Sequence, residues 1–199
     1  MSSIEPATTP EYHPQERAAL LHLAREAIAY GLAHGRARPL VVDPEDYPQH
    51  LRAERACFVT LQIDGELRGC IGSLEAHRPL VVDVAHNARA AAFSDPRFPP
   101  LSPAEFQRLD LHISVLHPAE PMHFSSEEDL VEQLRPGIDG IILEEGFRRG
   151  TFLPSVWEQL PRPRDFLHHL KLKAGLPADY WSQGLQAWRY TTESFGAEV

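Results

Sequence analysis

Apolar residues recur along this chain at two spacings, one of three to four residues and one of two. The first spacing follows Pro14 and appears again after Pro79. Proline suits the first turn of a helix, and apolar residues three and four positions apart share one helix face. The pattern therefore predicts two amphipathic helices, whose apolar stripes are Leu20, Ala24, Ala27, Ile28 and Gly31 in the first and Leu80, Val84, Ala88 and Ala91 in the second.

Three further helices are predicted from their boundary residues. Ser102 and Glu105 form a capping box, and Ser-Ser-Glu-Glu at 125–128 forms a second one. Another helix is expected over 163–174, because Gly175 follows it and glycine commonly ends a helix.

The two-residue spacing predicts strands and hairpins. The strands are expected over 56–63 and 66–72, joined by Asp64-Gly65; over 109–116; in a second hairpin over 138–153; and over 186–195. Hairpins outnumber βαβ units in this order, so the sequence predicts an α+β fold with a mixed or antiparallel sheet and helices packed on it. A long connection over 35–54 and a Pro-rich loop over 94–100 suggest two lobes.

The first hairpin contains both cysteines of the chain. If its turn has two residues, Cys70 faces Val59 and Cys57 faces Gly72, so both thiols point to one side on a diagonal. That diagonal is about 7–8 Å, whereas the Cβ atoms of a disulfide lie about 3.5–4.5 Å apart. We therefore predict no disulfide, and we place Arg68 on the same face as Cys70.

Composition narrows the class of protein. The chain has 199 residues, a formal net charge of −9, 43% hydrophobic residues and two cysteines. It is too apolar for a disordered chain, and too poor in cysteine for a disulfide scaffold or a four-cysteine zinc site. No apolar run reaches the roughly 18–20 residues of a membrane span, and acidic charge disfavours nucleic acid. We expect a cytoplasmic protein that binds neither nucleic acid nor membrane, with a flexible N-terminus over 1–13 and one domain of two sub-lobes over 14–199.

The familiar metal and nucleotide motifs are missing from the sequence. It holds neither HExxH nor CxxC, no glycine-rich phosphate loop and no GxSxG serine motif. We therefore expect no bound metal and no cofactor. The basic pairs Arg148-Arg149 and Arg162 with Arg164 are too few for a nucleic-acid groove, and we interpret them as solvated surface.

Cys70 is the candidate for chemistry. It lies between Gly69 and Gly72, and glycines inside a strand mark a bulge or the close approach of a ligand or a backbone. A guanidinium such as that of Arg68 would lower the pKa of a nearby thiol and favour the thiolate. The alternative is that the cysteine is a small buried hydrophobic residue, which is the role that we assign to Cys57.

Three polar residues further along are candidates for ligand contacts. Asn87 lies on the apolar face of the second helix, where a buried amide needs a partner, either a loop backbone or a ligand. Asp95 and Arg97 either form an ion pair that shapes their loop or line a cleft. His77 and His86 are candidate bases for a cysteine nucleophile, if folding brings one of them within reach.

The segment Leu67-Arg68-Gly69-Cys70-Ile71-Gly72 looks like the hallmark hexapeptide of the AMMECR family, and the chain resembles that family over about residues 14–195. Five further blocks agree with it: Pro79-Leu80 with Asn87-Ala88, 91–98, 113–116, 136–140 with Leu153-Pro154, and 173–177. One departure is Lys171, which stands where the family often has a second cysteine. A mechanism that needs two cysteines is therefore in doubt for this chain.

The resemblance implies two lobes around a cleft, with the hexapeptide at the cleft. Bacterial members are similar to protein A of the AmmeMemoRadiSam system, which accompanies a Memo-type protein and a radical SAM protein. The function implied is an accessory component that binds a small molecule or one of these partners. The alternative is an enzyme that uses Cys70 as a thiolate nucleophile or redox thiol. The residues that we expect to contact a ligand are Arg68, Gly69, Gly72, Asn87, Asp95 and Arg97.

Overall fold

The structure is a computed structural model that describes residues 10–196. The chain divides into two compact units, one formed by the residues up to Val115 with those from Glu193 onward, and one formed by Leu116–Thr192. The helices of the described residues are α1 (Pro14–His34), α2 (Gln49–Arg52), α3 (Leu80–Phe93), α4 (Pro103–Phe106), α5 (Glu127–Gln133) and α6 (Pro163–Lys173). The strands are β1 (Cys57–Ile63), β2 (Glu66–Gly72), β3 (Leu109–Leu116), β4 (Glu120–Pro121), β5 (Gly140–Glu145), β6 (Arg148–Phe152), β7 (Gln186–Tyr190) and β8 (Thr192–Gly196).

The first unit packs α1 and α3 on a four-stranded sheet of order β2-β1-β3-β8. Alternate residues of β1 are buried, and these are Cys57, Val59 and Leu61. The apolar stripes predicted for α1 and α3 are buried as well. Helix α3 lies close to the sheet because alanines at its interface leave room for backbone approach.

The second unit has its own sheet, of order β4-β7-β5-β6, and its own core. Helices α5 and α6 supply Leu130, Phe166 and Leu170 to that core. Trp157 stacks on Phe166 with ring centroids 3.8 Å apart and donates its indole N–H to the Asp139 carbonyl at 2.8 Å. The two sheets with six packed helices confirm the predicted α+β class.

The final strand predicted over 186–195 is in fact two strands. Strand β7 pairs with β5 and β4 in the second unit, whereas β8 lies beside β3 in the sheet of the first. The break is at Thr191, whose carbonyl accepts the N–H of His117 at 2.9 Å. No glycine or proline marks this position, so the local sequence gives no sign of the break.

The turn of the first hairpin is the predicted one, but the predicted register is wrong. Asp64 and Gly65 both have positive φ, at 53° and 80°, as a two-residue hairpin turn of this class requires. Next to the turn the pairing is as expected, and then Leu61 pairs with Gly69. Arg68 is therefore an extra residue, and β2 contains a β-bulge at this point.

The bulge exchanges the faces of the residues that follow it. Cys70 faces Thr60 instead of Val59, since a slip of one residue reverses the side to which a strand residue points. The prediction that both thiols share one side is wrong: Cys57 lies in the core, and Cys70 is half-buried on the opposite face. Both are free cysteines, which agrees with the predicted lack of a disulfide.

The segment before α1 is tied to β8. The backbone N–H groups of Glu11 and Tyr12 donate to the Glu193 carboxylate at 2.7 and 3.1 Å, and Arg17 pairs with the same carboxylate at 2.7 Å. Tyr12 is fully buried. Glu11 and Tyr12 are thus held by defined contacts, the expected flexibility over 1–13 stays a prediction, and residues 1–9 lie outside the described residues. Among residues 10–196, no helix is both long and apolar enough to cross a membrane.

Candidate functional site

The bulge directs the Arg68 side chain to the segment that follows α3. Its guanidinium donates to both carboxylate oxygens of Glu105, at 2.8 and 3.2 Å, and to the Pro99 carbonyl at 2.9 Å. Glu105 also accepts the backbone N–H of Ser102 in the predicted capping box. The hydrogen bonds from Arg68 and then from Ser102 lower the pKa of Glu105 to about 2. Arg68 therefore anchors the 94–105 segment against β2.

The glycines of the hexapeptide are places of close approach. A Cβ atom on Gly69 would overlap the carbonyl oxygen of Ala91, so only glycine lets α3 pack this closely on β2. A Cβ atom on Gly72 would overlap the ring of Phe58 on the neighbouring strand. What approaches these two glycines is the protein itself, and their expected contact with a ligand stays a prediction.

Cys70 is held through its backbone by one acidic and one basic side chain. Its N–H donates to Asp95 Oδ2 at 2.9 Å, and its carbonyl accepts from Arg97 Nη2 at 3.3 Å. Asp95 and Arg97 pair with each other through Oδ2 and Nη2 at 2.8 Å. The expected ion pair within the loop is therefore present, and it fixes the position of Cys70 as well.

The electrostatics of this pair follow from its geometry. Asp95 is almost fully buried, and the hydrogen bonds from Arg97 lower its pKa to about 2 against the opposing effect of burial. The pKa of Arg97 is raised, first by its bond to Asp95. Both charges are thus kept at neutral pH, although about half of the Arg97 side chain is exposed.

The Cys70 side chain has surroundings different from those of its backbone. The hydroxyl of Thr60 donates to Sγ at 3.2 Å. Electrostatic interaction with Cys70 also contributes to the raised pKa of Arg97. The guanidinium groups of Arg68 and Arg97 both lie 5.6 Å from the centroid of the Phe98 ring. Arg97, which we did not assign to Cys70 from the sequence, is therefore the cation that contacts this residue, through its backbone carbonyl, whereas Arg68 is engaged by Glu105.

Asn87 belongs to a separate buried cluster around Asp83. Its amide donates to the Cys57 carbonyl and to Asp83, both at 3.0 Å. The same carboxylate accepts the Cys57 N–H at 3.0 Å and the Ser73 hydroxyl at 3.0 Å, and it pairs with Arg78 at 3.0 Å. Asn87 thus bonds to a backbone carbonyl, as one of its two expected roles required, but this carbonyl belongs to strand β1 and not to a loop. Sequence reasoning missed Asp83, although its position four residues before Asn87 on one helix face was a usable signal.

Burial separates the two thiols chemically. Desolvation and then the Asp83 carboxylate raise the pKa of the Cys57 thiol well above its ordinary value.

Of the two histidines considered as candidate bases, His77 contacts the Glu75 carbonyl and Arg78. The pKa of His86 is lowered, first by burial and then by Arg78 and Arg89. Within residues 10–196, no cluster of three or more His, Cys, Asp or Glu side chains has the arrangement of a metal site.

Comparison with known proteins identifies the family over most of the chain. The model of the AMMECR1 family matches residues 21–195. The chain belongs to the AMMECR1 family. A protein of Methanothermobacter thermautotrophicus is 38% identical over 182 residues, covering 88% of this chain and 91% of that protein. Protein MJ0810 of Methanocaldococcus jannaschii is 38% identical over 159 residues, covering 76% and 77%.

A solved structure has a fold similar to that of this chain. The crystal structure of the uncharacterized protein PH0010 from Pyrococcus horikoshii has a TM-score of 0.84 and 35% sequence identity, and the match covers 90% of both chains. A solved protein with 35% sequence identity to this chain therefore adopts the same fold. None of these names states an activity.

The departure from the family pattern at Lys171 has a structural explanation in this member. Lys171 is fully buried on α6, and its ammonium pairs with Glu127 at 2.5 Å. It also lies 5.9 Å from the centroid of the Trp181 ring. A buried lysine requires such a partner, so this position is structural here and supplies no second thiol.

Proposed function

We propose that this AMMECR1-family protein is an accessory component that acts with Memo-type and radical SAM proteins and binds a small molecule or a partner segment at its LRGCIG hexapeptide. One observation carries the proposal: the buried Asp95 carboxylate and the half-exposed Arg97 guanidinium fix the backbone of Cys70 on both of its polar groups, while the Cys70 side chain remains half-buried. A binding surface gains affinity from such preorganisation, because less ordering has to occur on binding.

The charges around the hexapeptide favour binding over catalysis. Arg68 is neutralised by Glu105, and Arg97 by Asp95. Charged groups that are already paired hold a surface in shape, whereas a general base needs an accessible proton acceptor next to the nucleophile. The half-exposed guanidinium of Arg97 is the group that we expect a partner to contact. Two free thiols also support a reducing compartment, for which we propose the cytoplasm.

Direct binding measurements test the proposal. The full chain is titrated with the Memo-type protein and with the radical SAM protein encoded in the same genome. We expect at least one of them to bind, and Arg97→Gln to weaken that binding about tenfold, the effect of losing one charge-assisted hydrogen bond. Arg162→Gln is the matched control, since Arg162 is also paired with a nearby aspartate but lies in the second unit. If neither protein binds the wild-type chain, or both variants behave alike, the proposal is wrong.

The second candidate function is an enzyme with Cys70 as thiolate nucleophile or redox thiol. The hydrogen bond from Thr60 to Sγ and the interaction with Arg97 favour it, because both stabilise negative charge on sulfur. It predicts that iodoacetamide alkylates Cys70 faster than it alkylates glutathione at pH 7, with a rate that titrates below the free-thiol pKa of about 8.5. The accessory function predicts a rate no faster than that of glutathione, and it predicts that Cys70→Ser still binds the partner.

A further inference from the structure

The second unit contains a pocket of its own, apart from the hexapeptide. Its volume is about 300 Å³, and it lies between the 121–125 segment and the 181–188 segment. Small-molecule sites occupy about 300 Å³ and upward, so this pocket suits a ligand of one or two rings. Neither segment was singled out from the sequence.

Aromatic side chains form the walls of this pocket. Phe124, Trp181 and Trp188 line it, and Phe124 meets Trp181 edge to face with ring centroids 5.7 Å apart. The Lys171 ammonium lies 5.9 Å from the centroid of Trp181, and Glu127 holds that ammonium at 2.5 Å. Trp181 is therefore fixed by contacts with two neighbours before any ligand arrives.

The backbone around the pocket is fixed by hydrogen bonds as well. The N–H of Met122 donates to the Ala187 carbonyl at 2.9 Å, which ties the two wall segments to each other. Gln133 donates to the His123 carbonyl at 2.9 Å. On the other wall, Ser182 donates to Glu145 at 2.8 Å and accepts the Gly184 N–H at 3.1 Å. The pocket is thus largely preformed, as small-molecule sites usually are.

The polar groups that line the pocket indicate that its ligand is uncharged. Amides of Gln183 and Gln186, hydroxyls and the His123 ring are the polar groups, and no Asp, Glu, Lys or Arg lines the pocket. Aromatic rings stack on planar ligands, and amides offer both donors and acceptors. A charged ligand would find no opposite charge there, which makes its desolvation costly.

We propose that this pocket binds a neutral, planar nitrogen heterocycle of the nucleobase class, with the ring stacked on Trp181 or Trp188 and its edge hydrogen-bonded by the two glutamines. The proposal goes beyond the accessory function, because it concerns only residues of the second unit and requires neither partner protein nor Cys70.

The test is an NMR titration of the full chain with adenosine, in which the indole N–H signals of the tryptophans are followed. We expect the signals of Trp181 and Trp188 to move while that of the buried Trp157 stays in place. Ribose, which lacks the heterocycle, and benzoate, which is planar but charged, are expected to leave the signals unchanged. No movement with millimolar adenosine, or equal movement with ribose or benzoate, would overturn the proposal.

Substitutions of pocket residues provide a second test of the proposal. Trp181→Leu removes a stacking surface and is expected to weaken adenosine binding about tenfold or more, with Phe147→Leu as the control, since Phe147 is an exposed aromatic residue outside the pocket. If Trp181→Leu does not fold, Gln183→Ala serves instead, with an expected loss of about threefold for one hydrogen bond. Unchanged affinity in a folded Trp181→Leu or Gln183→Ala variant would contradict the proposal.

Discussion

The two strands of the first hairpin surround their cysteines in opposite ways. Cys57 on β1 is fully buried, and its backbone and its thiol both contact Asp83. Cys70 on β2 is half-buried, and a different carboxylate, that of Asp95, holds only its backbone. In the first case the thiol is part of a closed structural cluster, and in the second it is half-buried and accepts a hydrogen bond from Thr60. The difference shows that the effect of a carboxylate on a neighbouring cysteine depends on whether it accepts a hydrogen bond from the thiol or only from the backbone.

The largest expected difference between the two regions is in thiol reactivity. In the native protein, iodoacetamide should modify Cys70 readily, while Cys57 should react only through unfolding. Because ordinary domains are stable by about 5–15 kcal/mol, Cys57 should react more than about a thousandfold more slowly. Mass spectrometry of timed reactions measures both rates, and comparable rates would contradict the buried position of Cys57.

Asp83→Ala should be the most destabilising substitution in the Cys57 region. It leaves the Arg78 charge, the Asn87 amide and the Cys57 N–H without their common acceptor. We expect a loss of about 3–5 kcal/mol in the free energy of unfolding, as for other broken buried pairs, measured by urea titration. Glu66→Ala, at an exposed position of the same hairpin, is the control and should stay within about 0.5 kcal/mol.

Gly69→Ala should damage the Cys70 region by overpacking. The added methyl group meets the Ala91 carbonyl, so α3 has to move away from β2. Overpacking of this kind costs about 2–3 kcal/mol, and urea titration should show it. Leu67→Ala is the control, because Leu67 is 43% exposed and two residues away. A loss no larger than that of the control would mean that the helix and strand are not in tight contact at this point.

Acid should weaken the Cys70 region through Asp95. The pKa of Asp95 in the folded protein, about 2, lies below its ordinary value of 3.8, so the ionised carboxylate stabilises the fold above about pH 4. This stabilisation is lost as the pH falls from about 4 to 2, and it amounts to about 2 kcal/mol. Urea titrations across this range should show a shallower dependence on pH in Asp95→Asn, and an unchanged slope would contradict the assignment.

The smallest predicted effect concerns the hydrogen bond to the Cys70 sulfur. Thr60→Val keeps the shape of the side chain but removes the hydroxyl that donates to Sγ. The thiolate loses one hydrogen bond, so alkylation of Cys70 near neutral pH should slow about threefold. Thr60→Ser retains the hydroxyl and should react like the wild type. Equal rates in the valine and serine variants would show that the bond has no influence on the thiol.

Local signals in the sequence were sufficient for the elements that pack on their own apolar faces. The stripes of α1 and α3 and the Ser102 capping box depend on residues three or four positions apart, and such patterns are visible in one sequence. The Asp64-Gly65 turn was predicted for the same reason. The hexapeptide identified the family because its residues are contiguous.

The features that escaped prediction depend on contacts between distant residues. The bulge at Arg68 places that side chain on Glu105, 37 residues further along. The glycines of β2 allowed for a bulge, but they did not fix its position or the partner of Arg68. The Asp83 cluster joins β1 to α3, and Asp83 resembles an ordinary acidic residue of a first helical turn. The break at Thr191 follows from strands that belong to different sheets. Each of these results from tertiary structure overriding local preference.

The side chains that hold the Cys70 backbone also bear on aggregation. Strand β2 is an edge strand of its sheet. The unpaired backbone groups of an exposed edge strand can pair with a strand of another chain. At Cys70 the Asp95 carboxylate takes the place of a neighbouring strand's carbonyl, and the Arg97 guanidinium takes the place of its N–H. Two residues of a loop therefore cover the sheet edge at Cys70 as a further strand would, yet offer no continuous backbone on which another chain could extend it.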